Sequence, residues 1–171
     1  NDAYRYAKGE GIMHPMGYEM KLQEPLDFYS VTDHGFFMGM LNAWADTSTD
    51  ISQKDFAKPF HDLNEIENLT AESAGPRSAL FSSILGGTNT QTYSDLSPNV
   101  MKAWLTKNTQ GALKSFDYEI HKSAWEDVAK AANEHNDPGH FTTFIGYEFT
   151  TSTNIEGGNL HRNVIFNSSK A

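Results

Sequence analysis

The sequence contains no cysteine, which excludes disulfides, thiolate metal ligands and thiol redox chemistry. Positive charge is scarce: 13 lysines and arginines stand against 22 aspartates and glutamates, for a net charge of −9. That balance disfavours a nucleic-acid backbone as partner and gives no attraction to an anionic membrane face. No apolar run approaches the roughly 20 residues of a membrane span, and no stretch reads as a secretory leader. GxGxxG, P-loop, GxSxG and HExxH patterns are all missing, so nucleotide-cradling and serine-hydrolase readings have no support. These absences are compatible with a soluble protein of either cytoplasm or periplasm and choose neither.

What is present is a globular composition, 38% hydrophobic over 171 residues, enough for one domain with its own core. Residues 2–8 have the pattern of a short helix, and MKL (20–22) that of a short strand. PLDFYSVTDHG (25–35) runs from an apolar, aromatic and β-branched segment into Asp33, His34 and Gly35, a buried strand with polar groups at its C-terminal end. Parallel α/β folds collect ligands and catalytic groups at that end. FFMGMLNAWAD, after Gly35, reads as a short apolar helix despite its glycine. Residues 46–75 are polar and irregular, with a helix expected around Phe60–Leu69, and GGTNTQTYSD (86–95) is a second irregular stretch.

Ser97-Pro98 opens a helix whose apolar face is Val100, Met101, Trp104 and Leu105. Ser123-Ala-Trp-Glu126 has the capping-box pattern. Trp125, Val128, Ala129 and Ala132 follow at helical spacing, and Asn136-Asp-Pro-Gly139 ends that helix. Two strand patterns come last, FTTFIGYEFT (141–150) and LHRNVIF (160–166), joined by the glycine-containing TSTNIEGGN. No repeat or low-complexity tract interrupts this order, and helix followed by buried strand gives the class α/β. The chain opens at Asn1 directly into a helix and closes soon after a strand, as a piece of a larger protein would.

Three strand segments each carry a ligand-type residue: Asp33 and His34, then Glu148, then His161. Imidazole nitrogens and carboxylate oxygens bind zinc, manganese or iron. Each also has an ordinary reading. A strand-end histidine is more often a hydrogen-bonding residue than a ligand, and Glu148 would suit an edge strand facing solvent or a salt bridge to Arg162. A carboxylate between Tyr147 and Phe149 is nevertheless costly to bury unpaired. His14, His61, His121, His135 and His140 lie in polar surroundings, and Trp44, Trp104 and Trp125 suit core packing.

Set together, DAYRYAKGE, PLDFYSVTDHG, NDPGHFTTFIGYEFT and GGNLHRNVIF resemble the PHP (polymerase and histidinol phosphatase) superfamily. The resemblance is to its large bacterial branch catalogued as a domain of unknown function. It covers both ends of the chain well and residues 46–110 loosely. It implies strands near 25–33, 141–150 and 160–166 of a distorted (β/α)7 barrel, with 1–171 a single partial domain. By the same resemblance His34 and His161 would be metal ligands, Glu148 would bridge two ions, and Asp33 would orient a neighbour. Arg162, beside His161, is our own addition as a cation for an anionic oxygen. The superfamily's opening His-x-His pair and its late Asp-x-His motif are both missing here, so those ligands are expected in flanking sequence.

The expected activity is that of a metal-dependent hydrolase, a phosphoesterase using hydroxide generated on divalent ions (Zn, Mn or Fe). Its partners would be a small phosphorylated or otherwise anionic substrate, which a metal ion lets an acidic protein accept, and the rest of the parent chain. The alternative is a degenerate PHP-like module for binding or assembly, with the long polar loops as its interaction surface.

Overall fold

The structure is a computed structural model and describes residues 1–14, 17–63, 65–68, 70, 72–73, 75–77, 79–80, 115–151 and 160–170. The helix expected from Ser97-Pro98, the stretch 86–95 and most of the loop after Thr151 lie outside the described residues. The chain forms two compact units. The first comprises Asn1–Gly39, Glu119–Thr150 and His161–Ala171; the second comprises Met40–Tyr118 and Thr151–Leu160.

The first unit is mixed α/β. Helix α1 (Asp2–Ala7) buries Tyr4 and Ala7, one turn apart on one face. Strands β1 (Ile12–Met13) and β2 (Glu19–Met20) form a small antiparallel pair. Strand β3 (Phe28–Tyr29) pairs in parallel with β4 (Thr142–Thr143). The pairing resumes beyond these short strands: Phe144 N donates to Tyr29 O, and a parallel bridge joins His34 to Glu148. Register is therefore the same from Phe28 opposite Thr142 to His34 opposite Glu148.

Strand β5 (Gly146–Thr151) continues this line and pairs on its other side with β6 (Leu160–Ile165). Phe166 N donates to Ile145 O at one end, and the Thr150 and His161 side chains meet at the other. The β5–β6 pair is thus antiparallel, as a connection too short for a parallel crossover requires. The expected strands are present in part, in small sheets: of 25–33 only Phe28–Tyr29 is strand, with Leu26 and Phe28 exposed where a buried strand was expected, because among the described residues β3 pairs only with β4 and lies at an edge. The 141–150 stretch is divided between β4 and β5, and among the described residues no closed barrel forms.

The long helix α3 (Tyr118–His135) starts five residues before the Ser123 capping box. Ser123 is exposed within the helix, and Glu126 pairs with Lys122 on the solvent side instead of closing on a cap. Its apolar face holds as expected: Ala132 is buried in the core with Tyr4, Ala7, Phe141 and Ile145, and Trp125 and Ala129 pack against it. Full burial of side chains such as Ile145 and Phe141 contributes about 1.5–3 kcal/mol each. Strand segment and helix are thereby held on opposite sides of one apolar layer.

In the second unit, helix α2 (Met40–Ala45) is shorter than the sequence pattern suggests. Residues 36–39 form a turn because Gly39 takes a left-handed φ of +78°, which a helix interior does not accommodate. Trp44 is buried and sits against Phe60, ring centroids 5.2 Å apart. The helix expected around Phe60–Leu69 is replaced by single 3-10 turns at Lys58–Phe60 and Ile66–Asn68. No helix among the described residues is long and apolar enough to cross a membrane.

Candidate metal centre

Backbone register alone brings the ends of two segments together. Glu148 N donates to Asp33 O at 2.7 Å, and Gly35 N donates to Glu148 O at 2.9 Å. Facing residues in such a bridge put their side chains on the same side of the sheet, so His34 meets Glu148. The antiparallel β6 delivers His161 to the other side of that carboxylate.

The result is a three-residue cluster with Glu148 in the middle. One carboxylate oxygen lies 2.8 Å from His34 Nδ1 and the other 2.6 Å from His161 Nδ1. The two rings are 5.5 Å apart, and all three ligand atoms fall within 4.8 Å of one another. Donors around a tetrahedral ion with bonds near 2.0–2.1 Å stand about 3.3 Å apart. The two Glu148–imidazole contacts would lengthen by about 0.5–0.7 Å, with loss of the imidazole protons, for these groups to become ligands. The histidine side chains are 42% exposed and that of Glu148 21%, which leaves the donors open to solvent.

A fourth residue joins the cluster that sequence reasoning missed. The Thr150 hydroxyl is 2.8 Å from His34 Nδ1 and 3.4 Å from His161 Nδ1. It lies two residues beyond Glu148 on the same strand, so period-two alternation puts both on one face. That signal was in FIGYEFT and went unused because a threonine in a strand is ordinary.

Asp33 and Arg162 are not brought to the cluster. Each sits next to a cluster residue in extended backbone, and adjacent side chains point to opposite faces. Asp33 lies instead near Tyr4: burial pushes the Tyr4 hydroxyl's pKa up, and the Asp33 carboxylate adds to the shift. Arg162 is exposed on β6, and the ion pair it could have formed with Glu148 is replaced by the two imidazoles.

Four of the other histidines have local contacts, and His121, on α3, lines a cavity with Trp125 and Tyr147. His61 Nε2 bonds the Ser52 carbonyl at 2.8 Å, His135 stacks on Tyr4, and His14 stacks on Tyr18. His140 lies 3.6 Å from the Asp137 carboxylate.

Next to the His34–Glu148–His161 cluster Gly35 permits a tight approach: a Cβ there would fall 2.7 Å from the Tyr147 ring. The glycine of the Thr-Asp-His-Gly stretch thus serves close packing against β5.

Neither a curated protein nor a solved structure matches the chain. The sequence profile of one family, described as a protein of unknown function (DUF3604), matches residues 1–171, and the chain belongs to that family.

Proposed function

We propose that this chain supplies part of a divalent-metal centre to a hydrolase acting on phosphoesters. The observation that carries the reading is the convergence of His34, Glu148 and His161, from three separated segments, with their ligand atoms within 4.8 Å of one another. The reaction class rests on the resemblance of these segments to the PHP superfamily. A distorted (β/α)7 barrel as the parent architecture is supported by the parallel register of β3 with β4 and by α3 leading directly into β4.

In this reading neutral His34 and His161 and ionised Glu148 are the ligands. Nitrogen and carboxylate donors without sulfur suit zinc, manganese or iron. Glu148, whose two oxygens face different imidazoles, is the residue placed to join two ions. A bound divalent ion supplies hydroxide at neutral pH and offsets charge on the phosphoryl oxygens. Thr150 holds the His34 ring by its hydroxyl and can bond a water lying between the two rings. Hydrolysis then forms one bond from water oxygen to phosphorus and breaks the bond to the ester oxygen, which leaves as the alcohol with a proton. Asp33 and Arg162 have no part in it, since both face away.

The test is metal content and affinity. Elemental analysis and calorimetric titration with Zn2+ and Mn2+ are run on the protein and on a His34→Ala, Glu148→Ala double variant, followed by a metal-dependent phosphoester screen. Stoichiometric metal lost in the variant, with hydrolysis that follows the metal, is the expected result. A protein that takes up no metal and hydrolyses nothing would return the chain to the binding or assembly reading.

A further inference from the structure

A cavity of about 480 Å³ opens beside the cluster within the first unit. Its walls are mainly apolar and ring-rich, formed by Phe36, Met38, Trp125, Tyr147, Phe149 and Phe166, with the His121 imidazole among them. The rings are set rigidly against each other. Trp125 meets Tyr147 edge-on at 5.9 Å, and Phe166 contacts both, at 5.8 and 6.2 Å between centroids. Such a cavity falls within the range of small-ligand sites, about 300–1,000 Å³.

The cavity and the cluster share residues. Glu148 and Thr150 line the cavity and also hold the two imidazoles. Phe36, on the cavity wall, packs against the His34 ring with centroids 5.0 Å apart. By alternation Tyr147 and Phe149 lie on the other face of β5 from Glu148 and Thr150, so the cavity reaches the cluster by way of Phe36, and a ring there would direct a substituent toward His34.

We propose that this cavity is a subsite for an apolar aromatic group, and that the substrate is an aryl ester whose anionic group lies at the cluster. This deepens the phosphoesterase reading and rests on it. Two physical arguments favour a carbocyclic ring over a sugar or a nucleobase. Sugars and bases have hydrogen-bonding edges that lose water on entry, and a wall made mainly of Phe, Met and Trp returns few partners for them. A ring stacked among fixed aromatic side chains instead buries apolar area and meets edge-to-face partners. The acidic net charge of −9 also works against binding a dianion by its charge alone, so the ring is the part that gives affinity before the metal acts.

The test uses 1-naphthol, 1-naphthyl phosphate and glycerol 3-phosphate as probes, read by calorimetry and saturation-transfer NMR with and without Zn2+. Variants are Phe149→Ser, at a side chain already half-exposed, Phe36→Leu, and His34→Ala. Naphthol is expected to bind without metal, and at least tenfold more weakly to Phe149→Ser and Phe36→Leu. Naphthyl phosphate is expected to gain at least tenfold over naphthol only with Zn2+, a gain lost in His34→Ala, and glycerol 3-phosphate to bind far more weakly than either. Failure of naphthol to bind, or binding indifferent to both cavity variants in folded protein, overturns the subsite whatever the metal does. Cavity-dependent naphthol binding with no Zn2+-dependent gain supports the subsite and sinks the metal reading alone.

Discussion

His34 and Glu148 are joined twice, once through the backbone as facing residues of a parallel bridge and once through side chains 2.8 Å apart. The first contact determines the second. A slip of one residue in that register would turn His34 or Glu148 to the opposite face and dissolve the cluster. The geometry of the site is thus a property of strand pairing, which the packed layer of Tyr4, Ala132, Phe141 and Ile145 holds in place.

Glu148→Gln is expected to separate metal binding from folding. The amide keeps the side chain's shape but cannot bond as a charged ligand to ions between the imidazoles, so metal affinity should fall about 100-fold or more. Partly exposed ion pairs contribute on the order of 0–1 kcal/mol, so the denaturation midpoint should hardly move. Chelator competition and urea denaturation on the same preparations give both numbers. Unchanged metal affinity would remove Glu148 from the ligand set.

Thr150→Val tests the hydroxyl that the sequence did not flag. Valine matches threonine in shape, so packing is kept while the contact to His34 Nδ1 is lost. The hydroxyl meets the same ring nitrogen that would take the ion, so it positions the imidazole only before the ion binds; the loss is expected to be smaller than the roughly tenfold or more given by a partner on the other ring nitrogen. Thr150→Ser should restore most of it. If valine binds metal as tightly as threonine does, the hydroxyl is a bystander.

How much of this was legible in the sequence differs from element to element. The three strand segments show in composition alone, because short β-branched and aromatic runs bounded by glycine and proline have few other uses. The grouping of His34, Glu148 and His161 came through resemblance, since His34 is more than a hundred positions from the other two and carries no spacing signal toward them. The antiparallel β5–β6 pairing was readable and went unused: the nine residues TSTNIEGGN are too few for the crossover that a parallel neighbour needs. Ser123-x-x-Glu126 matched a helix start yet sits on an exposed helical face, where the same two residues also fit. Gly39 was absorbed into a helix because the apolar pattern runs through it, and only the backbone angle shows the break. The ring-lined cavity was invisible for a different reason: its walls come from four separate segments, each of which reads as ordinary core.

Gly39→Ala should destabilise the fold without touching the site. At φ +78° a side chain is strained, and an added Cβ would lie 2.7 Å from Ala124 Cβ and 3.3 Å from the Ile120 carbonyl of α3. Backbone strain of this kind costs on the order of 1–3 kcal/mol, and the steric contact adds to it. The midpoint of urea unfolding should drop accordingly while metal affinity at saturating native protein stays unchanged. A midpoint equal to that of the parent would mean the turn at 36–39 is not held as described.

Stability should also fall on mild acidification, through His135. Its ring stacks on Tyr4 with centroids 5.3 Å apart, and burial lowers its pKa, with the positive charge of Lys8 acting in the same direction. The unfolded chain, with an ordinary histidine near pKa 6.5, then holds more protons than the native one in the window just below that value. Stability rises with pH wherever the unfolded state binds more protons. The His135 contribution is therefore fully present above about pH 6.5 and is lost as pH falls through the lower native value. The carboxyls of Asp46, bonded by Ser48, and Asp55, bonded by Lys58, have lowered pKa values and titrate well below this window. Melting temperature should thus be lower at pH 5.5 than at pH 7.5, and His135→Phe, which keeps a ring against Tyr4, should reduce that difference. An equal drop in the variant would assign the acid sensitivity to other groups.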